Sequence, residues 1–169
     1  DAFWNSKSRA QATKDEPAPV RKYDPVEMPR NSATGFVTEG AVQARLKNWD
    51  GAASAYRAAL KRQPASNTVA MSLHTALAAG GPSAEAEKFA AGWLKDHPRD
   101  GVFTLYLGEM ALARQDYARA ESKFQAVLKL DPKNAAAMNN LAWLLLTQHK
   151  PGALGYAEKA NALVADQHK

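Results

Sequence analysis

Three prolines, Pro64, Pro98 and Pro132, stand 34 residues apart, and three alanines, Ala52, Ala86 and Ala120, keep the same interval. Two independent columns sharing so long a period are hard to obtain from a single helix, whose own repeat is about 3.6 residues. From about Thr34 onward the chain is therefore an array of similar units, each leaning on its neighbours to bury its apolar side. Proline removes an amide donor and pushes the residue before it out of helical geometry. Each of the three thus ends a helix and turns the chain into the next unit.

Setting each proline at the thirty-second place of its unit starts the units at Ala33, Asn67, Gly101 and Ala135. The eighth place then holds Gly40, His74, Gly108 and Ala142, and the twentieth holds Ala52, Ala86 and Ala120. The twenty-fourth holds Tyr56, Ala90 and Phe124, and the twenty-seventh Ala59, Trp93 and Val127. In these columns the chain resembles the tetratricopeptide repeat family, whose unit is a pair of antiparallel helices. The resemblance implies an all-α, right-handed α-solenoid of about four helix-turn-helix units, with helices of about twelve to fourteen residues. It also implies that the small eighth and twentieth places let the two helices of a unit approach, while the twenty-fourth and twenty-seventh pack between helices and onto the next unit. The organisation expected is a strap or linker over 1–32, full units over 33–66, 67–100 and 101–134, and an incomplete or atypical fourth over 135–169.

Two departures stand out. His74 puts a ring where the column otherwise takes glycine or alanine, so that helix pair should splay slightly. No second histidine or carboxylate lies at ligand spacing on its face, so His74 is expected to pack and not to hold a metal. The fourth unit is one residue short in its inner turn, "QHKPG", which moves the packing roles to Ala153, Ala157 and Ala160, and it lacks the closing proline. Its apolar outer side leads us to expect further units in a parent protein. Ahead of the array, Pro17, Pro19, Pro25 and Pro29 make "EPAPVRKYDPVEMPR" an extended strap. The preceding "AFWNSKSRAQATK" has room for a short helix, and its Phe3 and Trp4 favour burial, either on the body or against a preceding unit.

Composition excludes several functions. The net charge is +5, but the charges alternate along the chain instead of forming a basic stripe with interleaved aromatics, which argues against nucleic acid as a partner. The longest apolar run, Leu141 to Leu146, is too short to span a bilayer, so no direct membrane insertion is expected; the start at Asp1 suggests a mature form or an excised piece. The absence of cysteine removes disulfides and thiolate chemistry and leaves the compartment open. No glycine-rich phosphate loop, nucleophile elbow or paired carboxylates appear, so no enzyme activity and no cofactor are expected. Glu85 with Lys88, and Glu121 with Lys123, look like solvated helix faces.

The stretch "AAAMNNLAWLLL" sets Asn139 and Asn140 within an apolar helical run, a costly choice unless the amides are paired or exposed. The family resemblance places the second, fifth, sixth, ninth, twelfth and thirteenth positions of each first helix on a concave groove, and leaves Met138, Leu141, Ala142 and Leu145 on the buried side. Groove positions then include Thr38 and Arg45; Met71, Ser72 and Thr75; Tyr106 and Glu109; and Asn139, Asn140 and Trp143. Amides that both donate and accept, beside Met71, Tyr106 and Trp143, suit a peptide or a helix of a protein partner. The alternative is that Asn140 bonds its own helix terminus or a neighbouring side chain, and that Trp143 fills a gap between the third and fourth units. Arg45 is the only basic residue in these columns, so the lysine-arginine clamp for carboxyl termini is missing.

"WLKDHPRD", "YLGEMALARQDYARAE", "NNLAWLL" and "KPGALGYAEKANAL" occur in an order similar to that of the tetratricopeptide lipoproteins of the PEP-CTERM and exosortase system. That resemblance implies a longer, lipid-anchored parent facing the periplasm of the bacterial cell envelope, active beside exopolysaccharide production and protein export. The expectation is a non-catalytic interaction scaffold. A structural spacer or self-associating array without a groove ligand, and a cytosolic adaptor, remain alternatives.

Overall fold

Capping residues decide where the helices begin. In the computed structural model, which describes residues 32–81 and 83–166, Ser32, Ser66, Asp100 and Asn134 recur one unit apart. Each side-chain oxygen accepts a hydrogen bond from the backbone N–H three residues on, at 2.9, 3.4, 2.9 and 3.0 Å. They open α1 (Ala33–Arg45), α3 (Asn67–Gly80), α5 (Gly101–Ala113) and α7 (Ala135–Thr147) and satisfy amides that no helical carbonyl can reach. Asn48 and Asp116 do the same for α2 (Trp49–Arg62) and α6 (Tyr117–Leu130). In α4 (Ser83–Asp96) and α8 (Ala153–Asp166) the start instead follows Pro82 and Pro151–Gly152 in the chain. The described residues thus form eight helices and no strand. The strap and any helix before it lie outside the described residues.

Inside units one, three and four the turn is the same. Lys47, Gln115 and His149 take left-handed backbone, with φ of 57°, 61° and 54°. The next N–H then returns to a carbonyl five residues back: Asn48 to Gln43 at 2.9 Å, Asp116 to Ala111 at 2.9 Å and Lys150 to Leu145 at 2.8 Å. Unit four keeps this turn as far as Lys150 and departs only afterwards, where Gly152 sits at φ 98°. From there α8 turns Ala153, Ala157 and Ala160 toward α7.

Side-chain size at two columns sets how the helices meet. A Cβ on Gly40 would lie 2.6 Å from Tyr56 Cε1, and one on Gly108 would lie 2.6 Å from Phe124 Cε1. In units one and three, then, an aromatic ring of the second helix rests on bare backbone of the first. Unit two reverses the sizes: His74, 2% exposed, comes from α3, and Ala90 stands on α4. The backbones of α3 and α4 accordingly approach less closely than those of any other unit, the splay expected from His74. Unit four has alanine on both sides, Ala142 and Ala157.

Between units the twenty-seventh place acts as a spacer. Ala59 lets α2 lie close to α3, Val127 holds α6 farther from α7, and at the α4–α5 junction Trp93 stands against Phe103 with ring centres 5.7 Å apart. The Trp93 indole donates to Asp100 Oδ2 at 2.9 Å, so one carboxylate both caps α5 and pairs a buried N–H. Successive odd-numbered helices touch directly, α3 on α5 and α5 on α7, while even-numbered ones are bridged by the ion pairs Arg57–Glu85 and Arg119–Glu87. The array therefore curls toward its odd-numbered helices. Glu85 does lie on a solvated face while Glu121 is half-buried, and their partners are Arg57 and Lys150 from other units and not the nearby Lys88 and Lys123. At such exposure these pairs contribute about 0–1 kcal/mol each.

The ring-on-glycine contact can be tested by transplanting the unit-two solution into unit three. Gly108→His alone should cost about 1–3 kcal/mol by overpacking, and Phe124→Ala alone about 3–5 kcal/mol by leaving a cavity. Combined, they recreate the His74/Ala90 pairing, and the double variant should be more stable than the sum predicts by at least about 1 kcal/mol in urea unfolding. Additive losses would show that the two positions do not share one space.

Candidate functional site

The odd-numbered helices share one face, and the structure separates the residues expected on it into three groups. On α1, Thr38 and Arg45 are exposed. Arg45 ends α1, three units from Asn139 and Asn140, so no composite site forms between them.

The second group is engaged internally. Met71 packs against the cluster of Ala70, Trp93 and Phe103. Ser72 Oγ donates to the Thr68 carbonyl at 3.1 Å, and Thr75 Oγ1 donates to the Met71 carbonyl at 2.9 Å. Tyr106 Oη lies 2.8 Å from Thr75 Oγ1 and 2.8 Å from His74 Nδ1. Since the single Thr75 hydroxyl proton goes to Met71, Tyr106 donates to Thr75, and His74 Nδ1–H donates to Tyr106. Nε2 is then left as a bare lone pair, with no partner among the described residues, facing a cavity of about 140 Å³ bordered by Glu87, Arg114 and Arg119. Burial holds the His74 pKa below its usual 6.5; Arg114 and Arg119 add to the shift, and Glu87 opposes it. Burial likewise raises the Tyr106 phenol above its usual 10. The Tyr106 hydroxyl therefore belongs to an α3–α5 tie, which the sequence alone did not disclose.

The third group is brought together. Asn140 Nδ2 donates to Glu109 Oε1 at 3.3 Å, a long bond, while Asn139 is exposed. Trp143 is 51% exposed beside them. Asn139, Asn140 and Trp143 rim a depression of about 500 Å³ with Ala142, Ala153 and Ala157 along its floor and Leu112, Leu146 and Leu154 on its walls. Met138, Leu141, Ala142 and Leu145 fill the buried side of α7, as the repeat register implies. Leu112 and Leu146 occupy the twelfth place, already a groove column, and could have been singled out from the sequence. Leu154 lies on α8, where no column points to the groove.

Two family models described as tetratricopeptide repeat match residues 38–101 and 111–153, together well over half of the sequence. The chain is a tetratricopeptide repeat protein. No curated protein matches its sequence. Among solved structures it is similar to MamA 41-end from Desulfovibrio magneticus RS-1, with 16% identity, a TM-score of 0.61, and coverage of 83% of this chain and 80% of that one. Another MamA structure gives 18% identity, a TM-score of 0.58, and coverage of 79% and 73%. YrrB, described as a TPR protein with an unusual peptide-binding site, gives 20%, 0.55, and coverage of 82% and 72%. At these identities the likeness is one of fold. Among the described residues of this repeat protein, no helix is long and apolar enough to cross a membrane.

The His74 tie makes stability depend on pH. A histidine whose folded pKa is depressed takes up its proton more readily when unfolded, so its contribution is fully present above about 6.5 and declines as pH falls toward the folded pKa. Glu87, lowered chiefly by the hydrogen bond from Arg119, adds a second loss only below about 4.5. Between pH 7 and 5 the melting temperature should therefore fall, and His74→Phe should flatten that slope. An equally steep slope in the variant would place the titration elsewhere.

Proposed function

We propose that this tetratricopeptide repeat protein is a non-catalytic interaction scaffold that seats a peptide or helix of a partner protein along the face of α1, α3, α5 and α7, gripped hardest at α5 and α7. The observation that carries this is the junction of Trp143 and Leu146, 51% and 67% exposed, with the exposed Asn139 amide at the mouth of one apolar depression. Large apolar groups left open beside hydrogen-bonding amides suit a backbone with an apolar anchor. The peptide-binding site named for YrrB lends support, since its fold is similar. The lipoprotein-like runs "WLKDHPRD" and "NNLAWLL" support a setting at the periplasmic side of the envelope, beside exopolysaccharide and protein export.

A second reading, a self-associating array, draws on apolar groups exposed at the outer helices, Leu46 just past the end of α1 and Val164 on α8.

Selection of peptides from a random displayed library, followed by calorimetry, separates the two. The scaffold reading expects selected peptides to lose at least about tenfold in affinity, or 1.4 kcal/mol, on Asn139→Ala/Asn140→Ala/Trp143→Ala, with Arg45→Ala unchanged. Peptides indifferent to the triple change, together with a mass that rises with concentration, would favour the array.

A further inference from the structure

In three units the space between the eighth and twenty-fourth places is filled from within the chain: by Tyr56 against Gly40, by His74 beside Ala90, and by Phe124 against Gly108. In unit four both places are alanine. The depression of about 500 Å³ opens at this position, with Ala142 and Ala157 in its lining. Its walls are apolar, from Leu112, Leu146 and the 72%-exposed Leu154. A dry cavity of about 150 Å³ already accepts benzene, so the space is ample for one phenyl or indole ring.

The polar side chains in its lining are the two amides, Asn139 and Asn140, and a carboxylate stands behind one of them. Glu109, the one charged residue of α5 and α7, is exposed one hydrogen bond back from the lining, and among the described residues its partner is Asn140 through a long bond. Trp143, in the lining with Asn140, offers a ring face to a cation. Apolar floor and anionic lip together select an aromatic side chain next to a positive charge.

We infer that the unit-four depression is a socket for one aromatic side chain of the bound peptide, flanked by a lysine or arginine that meets Glu109. The socket rests on the scaffold reading above and specifies its ligand: the partner supplies the ring that the fourth unit lacks.

The test is a methyl-resolved NMR titration of the whole chain with 2-phenylethylammonium and, separately, 3-phenylpropionate. The cation should move the Ala142, Ala153 and Ala157 methyls and bind at least threefold more tightly than the anion, and Glu109→Gln should remove that preference. Ala157→Phe fills the space from inside, as Phe124 does in unit three, and should abolish the shifts while the fold is kept. Leu154→Ser, at the rim, should weaken binding in a chain whose core is untouched and so provides the answer if Ala157→Phe does not fold. Unmoved methyls, or binding that neither Ala157→Phe nor Leu154→Ser weakens, would overturn the socket. Library-selected peptides that need Asn139 and Asn140 but tolerate Ala157→Phe would overturn the socket while leaving the scaffold reading intact. Self-association that Ala157→Phe abolishes would assign the space to a second copy and equally overturn it.

Discussion

An aromatic ring resting on a glycine backbone is the contact on which the rest of this structure depends. Tyr56 on Gly40 and Phe124 on Gly108 bring two helices close enough to bury the alanines of the twentieth place, Ala52 and Ala120, completely. Neither helix of a unit has enough apolar surface to stand alone, so closeness and not sequence propensity holds them helical. Where the ring moves to the other helix, as His74, the unit still closes but its backbones stand farther apart, and Trp93 continues the wider spacing into the next junction. In units one to three the variation is one of side-chain volume at fixed columns; unit four adds a changed inner turn at Gly152.

The His74 substitution brings a polar ring into a core, and its surroundings show how that is tolerated. One ring nitrogen is tied through Tyr106 to Thr75 and on to the Met71 carbonyl, so the hydrogen bond that satisfies it also joins α3 to α5. The other stays unprotonated, which burial favours. A residue that looked like a departure from the repeat thereby links two units. The cost is that Tyr106, Ser72 and Thr75 spend their hydroxyl protons inside the protein. The groove face of unit two is in consequence less reactive toward a ligand than its composition suggests, and free hydrogen-bonding capacity gathers at Asn139 and around Glu109.

Much of this was legible in the sequence because a repeat prints the same constraint several times. The Pro64, Pro98 and Pro132 column gave the period, and the size columns gave the helix pairs; the caps Ser32, Ser66, Asp100 and Asn134 were printed at the same interval. Placing Asn139 and Asn140 off the buried side of α7 followed from laying the family's groove columns on that count, since a helix of known register has only one side facing its neighbours. What could not be counted were contacts between side chains of different units. Glu85 meets Arg57 and not Lys88 because α2 and α4 lie side by side, and Leu154 reaches the depression because the turn at Gly152 re-aims α8. Tyr106 was expected as an aromatic anchor in the groove, but its hydroxyl is tied to His74 and Thr75 of the neighbouring unit.

If the ring-on-backbone contact governs each unit, the two outer units of the described array should differ. Unit one has Tyr56 on Gly40; unit four has alanine against alanine. Native-state hydrogen exchange resolved by residue measures this directly, because local opening reports the stability of each helix pair. The interior amides of α7 and α8 are predicted to exchange faster than the matching amides of α1 and α2, with α5 and α6 slowest. Equal protection in the two outer units, or greater protection in α7 and α8, would contradict the account.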